Sequence, residues 1–74
     1  VSIDMAVVVN SLRQLMLLLD EMDPDAESLL AELSETLDQV IEPEMVTQLT
    51  QAVASFEYES AKEIVTQCIK QLSQ

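Results

Sequence analysis

Residues 23–46 read DPDAESLLAELSETLDQVIEPEMV, and this stretch decides the fold. Asp23 can cap the N-terminus of a helix, and Pro24 then sits where its missing N–H costs nothing. Asp25 and Glu27 follow in the first turn, where the helix dipole favours acids. Ala26, Leu30, Leu33, Leu37 and Val40 recur in four-three steps, with Leu29 and Ile41 flanking them, so the spacing predicts one apolar helix face to about Gln39. Glu42-Pro43-Glu44 repeats the punctuation and starts another helix. Two helices joined by so short a link must lie antiparallel.

The same pattern extends outward in both directions. Upstream, a helix is expected from about Ile3 to Glu21. Val1, Met5, Val8, Leu12, Leu15, Leu19 and Met22 form a heptad-type seam. Val7, Val9, Met16, Leu17 and Leu18 widen it until little of this helix is polar, which predicts burial on most sides. Such a helix is either the central element of a bundle or a surface for a partner helix or second copy; Val1, Met5, Val8, Val9 and Met16 are the candidate contact residues of that surface. Downstream, the third helix runs to about Ser55 with Val46, Leu49, Val53 and Phe56 facing inward. Phe56 to Ser60 reads as a short turn, and a fourth helix carries Ala61, Ile64, Val65, Cys68, Ile69 and Leu72. No useful strand-like alternation appears. The fold expected is all-α, an antiparallel up-down four-helix bundle forming a single domain. Two helix pairs of roughly 35 residues also suit a tetratricopeptide-like array, but the Trp, Gly and Pro positions of that repeat are missing.

Composition narrows the function. A chain of 74 residues buries only about 60% of the surface it exposes when unfolded, so its stability depends on good packing, self-association or docking. There is no glycine, and loops that cradle phosphate need it for close backbone approach. Nucleotide sites of the P-loop and dinucleotide types are thereby excluded. Fourteen acids against three bases give a net charge of -11. From Asp20 to Glu59 there are twelve acids and no base. Such a surface repels nucleic acid and anionic lipid and attracts basic protein surfaces. One cysteine permits no internal disulfide and fits a reducing compartment. No apolar run is long enough to span a membrane, and Asp4 stands where a signal peptide would carry bases. The chain is expected to be cytoplasmic, and a piece of a longer protein, since apolar periodicity is already running at Val1.

Candidate chemistry is sparse. Glu21, Asp23, Asp25 and Glu32 fit positions 1, 3, 5 and 12 of a calcium loop, but Ala26 replaces the turn glycine and Ser28 an apolar residue. Zinc lacks ligands, since there is no histidine and one cysteine. Cys68 lies on the inward stripe of the fourth helix, where a thiol among aliphatics is inert. Glu27-Ser28-Leu29 is comparable to the Asp-Ser-Leu motif of acyl carrier proteins, which would make Ser28 an attachment site. Paired carboxylates on an acidic surface carry no catalytic signal without a cleft. No enzyme activity, metal or cofactor is expected.

Leu15 to Leu19 before Asp20, the Asp25-Ala26 and Leu29-Leu30 pairs, Leu33, Leu37 and the turn Phe56-Glu57-Tyr58-Glu59-Ser60-Ala61 together carry a resemblance. Over about residues 12–73, the chain resembles the histidine-phosphotransfer-like domain at the C-terminal end of bacterial hybrid sensor histidine kinases and related response regulators. The turn matches that group's aromatic–acid–aromatic–acid–x–Ala pattern. A working member carries a solvent-facing histidine followed by a short Leu-Lys-Gly segment. Here Ile69-Lys70 occupies that neighbourhood, Thr66 or Gln67 stands near the histidine's place, and Gln71 replaces the glycine. Neither Thr66 nor Gln67 can form a phosphoramidate. The resemblance implies a connector domain of two-component signalling that docks a receiver domain, or holds a kinase dimer together, without receiving phosphate. Thr66, Gln67 and Lys70 are then candidate contact residues.

Overall fold

A computed structural model describes residues 4–73. It contains four α-helices: α1 (Met5–Asp20), α2 (Asp25–Val40), α3 (Pro43–Ala54) and α4 (Tyr58–Ser73). There is no strand among the described residues. α1 packs on α2 and α4, and α3 packs on the same two neighbours, so the helices close a ring around one core. The connections contain four, two and three residues. None can carry the chain back along a 16-residue helix, which is about 24 Å long. Consecutive helices therefore reverse direction, and the molecule measures 32 × 21 × 21 Å.

This topology places the α1–α2 and α3–α4 turns at one end. Two side-chain arrangements agree. Lys62 in the first turns of α4 reaches Asp20 at the end of α1, with Nζ 3.3 Å from Oδ1. Glu27 at the start of α2 shares a groove with Val53 and Ala54 at the end of α3.

The helix starts follow the sequence. Asp4 is extended and its Oδ1 accepts from the Ala6 N–H at 3.0 Å, so α1 begins at Met5. Asp23 Oδ1 accepts from the Asp25 N–H at 2.9 Å. Pro24 already has helical dihedrals, so Asp23 acts as the cap although the regular helix is counted from Asp25. Pro43 opens α3 at its first position.

The core is aliphatic, and among the described residues no polar or charged one is buried. α1 contributes Val8, Leu12, Leu15 and Leu19, and α3 contributes Val46, Leu49, Ala52 and Val53. On α4, Ala61, Val65 and Cys68 are buried, while Ile64, Ile69 and Leu72 pack around them half-covered. Ala26 and Ala61, in the first turns of α2 and α4, are fully buried; a methyl group there lets neighbouring backbones approach.

Four expectations need correction. Phe56 does not face inward. α3 ends at Ala54, and Phe56 adopts φ 62°, which turns its side chain out to 75% exposure. Met22 leaves the α1 seam by the same device, with φ 56° and 72% exposure. Met5 and the outer residues Val7 and Leu17 are exposed, so α1 is not buried on most sides; only two helices pack on it. On α2, Leu33 and Val40 are half-buried while Ile41 enters the core. Ile41 is extended (φ -132°, ψ 159°) just past the helix end, and that change of direction brings its side chain over the core.

Candidate functional site

The expected contact residues of α1 divide among three environments. Val8 is sealed in the core, so it offers nothing to a partner. Val9 and Met16 are half-buried, with Met16 packed against the core. Met5 is exposed. Val1 lies outside the described residues. Of the seam, Val8, Leu12, Leu15 and Leu19 are buried in the molecule's own bundle, while Met5 and Met22 are exposed. Val7 and Leu17 remain exposed on the outer face, but exposed Asn10, Arg13 and Gln14 lie between them along the helix. They are isolated apolar residues rather than one patch.

Thr66, Gln67 and Lys70 are all exposed on α4. Their i, i+1, i+4 spacing puts them on one outer stripe. The Thr66 hydroxyl donates to the Lys62 carbonyl at 2.9 Å, so its oxygen is held against its own helix. Gln71 Nε2 approaches the Met45 sulfur of α3 at 3.9 Å. The stripe carries amide, hydroxyl and ammonium groups and no imidazole.

Cys68 is 1% exposed among aliphatic side chains. Burial pushes its thiol pKa up, with a backbone hydrogen bond opposing in part. The folded state therefore prefers the neutral thiol more than the unfolded chain does. This stabilisation is complete below the unfolded pKa, about 8.5, and is lost as pH rises through the raised folded value. Cys68→Val is expected to remove that component. Urea unfolding of both proteins from pH 7 to 10 should show the variant losing less stability over the alkaline range; parallel curves would contradict it.

Asp23 engages the Asp25 N–H, and no group of three or more potential ligands converges among the described residues. Ser28 is exposed near the start of α2. Among the described residues the sole ion pair is Lys62–Asp20, and a pair this exposed contributes about 0–1 kcal/mol. The remaining acids repel one another across solvent. Raising salt from 20 to about 150 mM shortens the Debye length to about 8 Å, and the melting temperature is expected to rise. A fall would mean that the acids are paired across an interface.

The acids are also distributed unevenly. Asp20, Glu21, Asp23, Asp25, Glu27, Glu57 and Glu59 belong to the turns and helix ends at the end that bears Met22 and Phe56. Sequence reading found the acids and placed Phe56 in the core. The signal it could have used is the absence of glycine: a bundle with short turns needs left-handed residues, and here non-glycine residues must supply them. Comparison with family models, curated proteins and solved structures gives no match.

Proposed function

We propose that this chain is a non-catalytic docking domain of a bacterial two-component signalling protein, a phosphotransfer-like bundle that binds a receiver or kinase domain without accepting phosphate. The observation that carries the reading is the exposed Thr66-Gln67-Lys70 stripe on one helix of a four-helix bundle, at the place where the resemblance would put a histidine. Two further facts support a binding role. The chain has no histidine, and its one cysteine is sealed in the core. The self-association alternative receives less support, because Val8, Leu12, Leu15 and Leu19 of the α1 seam are buried in the chain's own core.

The test uses a receiver domain labelled with phosphate by a small-molecule donor. Mixing is expected to leave this chain unlabelled while producing chemical-shift changes at Thr66, Gln67 and Lys70. Gln67→Glu combined with Lys70→Glu should weaken the complex at least tenfold without lowering the melting temperature by more than a few degrees, since both sites are exposed. Transfer of label, or shifts confined to other faces, would overturn the reading.

A further inference from the structure

Two local rules are broken at the end of the bundle that carries the α1–α2 and α3–α4 turns. The first concerns the two helix-closing residues. At the end of α1, the Met22 N–H donates to the Leu19 carbonyl and the Asp23 N–H to the Leu18 carbonyl. At the end of α3, the Phe56 N–H donates to Val53 and the Glu57 N–H to Ala52. This paired pattern requires a left-handed residue and is normally closed by glycine. Here a methionine and a phenylalanine occupy it, both among the most solvent-exposed large apolar residues of the molecule. The second break concerns charge. Asp20 and Glu21 stand at the C-terminus of α1, where the carbonyl ends repel acids and where no base lies in the last turn. Lys62 offsets Asp20 alone. Departures from local preference gathered in one place are expected where a surface serves a partner.

We infer that this end of the bundle docks a basic amphipathic helix of a protein partner. Met22 and Phe56 supply two apolar anchors within a cross-section of 21 × 21 Å. Glu21, Asp25, Glu57 and Glu59, all exposed, and half-buried Asp23 belong to the same turns and helix starts. Lysines and arginines flanking an apolar stripe complement that arrangement. Beside it, Leu30, Ala31, Val53 and Ala54 line a groove of about 250 Å³ between α2 and α3, with Glu27, Ser34 and Thr50 also on its wall. Its size and mainly apolar wall suit one large side chain of the partner helix. The charge decides between occupants: a second copy or an anionic lipid surface would bring like charge to like. A simple cation would leave the two apolar residues without a role. The inference does not depend on the α4 stripe, which lies on the side of the bundle.

The probe is an 18-residue helical peptide of leucine and lysine with its leucines on one face, titrated into the whole chain at about 150 mM salt and followed by fluorescence anisotropy and chemical shifts. Expected changes centre on residues 21–27 and 53–59. The double variant Met22→Gly, Phe56→Gly keeps every charge and relieves the left-handed strain, so it folds at least as well as the parent; its affinity should fall at least tenfold. A lysine-serine peptide of equal charge should also bind at least tenfold more weakly than the leucine-lysine peptide. The inference is overturned by absence of binding, by equal affinity of the glycine variant, by equal affinity of the lysine-serine peptide, or by shifts centred on the α3 N-terminus or the outer face of α1.

Discussion

Leu12→Ala is expected to lower the free energy of unfolding by about 2–5 kcal/mol. Leu12 is fully buried on the face of α1 that α2 and α4 enclose. Truncation removes the transfer free energy of its side chain and leaves a cavity that surrounding helices close only in part. A domain of this length has roughly 4–11 kcal/mol of stability in total, so the loss is a large share of it. The melting temperature should fall on the order of 10–30 °C, read by thermal circular dichroism and urea titration. Leu17→Ala is the matched control: same helix, same change, but 63% of Leu17 is exposed. It should move stability by no more than about 0.5 kcal/mol. Equal losses at the two positions would mean that α1 is packed on both sides, as in an obligate dimer.

The second large effect has the opposite sign. Met22→Gly and Phe56→Gly should each stabilise the fold by about 1 kcal/mol. A left-handed conformation costs a residue with a Cβ about 1–2 kcal/mol, and glycine is free of that clash. Part of the gain is offset because glycine leaves the unfolded chain more freedom, a term of about 0.4–1 kcal/mol. Phe56 has one identified aromatic contact to lose, an edge-on approach to Tyr58 with ring centroids 6.2 Å apart, so its net gain should be the smaller. The two residues belong to separate turns, and the double variant should approach the sum. It should melt several degrees higher than the parent. A fall in stability at either position would show that its side chain packs more than its exposure implies. Raised stability together with lost peptide binding would be the trade expected where a strained, exposed residue is kept for contact rather than for folding.

Read alone, the sequence determined that the chain is helical, how many helices it has, where two of them start, and that the bundle reverses at each short link. These properties are local. Prolines at Pro24 and Pro43 and the acids after them act within a turn, and a 3.6-residue apolar period is a property of a single helix. It also determined the overall charge. The tertiary structure decided which apolar residues are inside. Val8 and Leu17 are both aliphatic residues of one helix, and only the positions of α2 and α4 make the first core and the second surface. Ile41 enters the core because α2 stops at Val40 and the chain turns there, while Leu33 packs at the core's edge. Met22 and Phe56 continue their helical stripes on paper. Only the left-handed closing turn throws them outward, and only the up-down packing brings both to one acidic end.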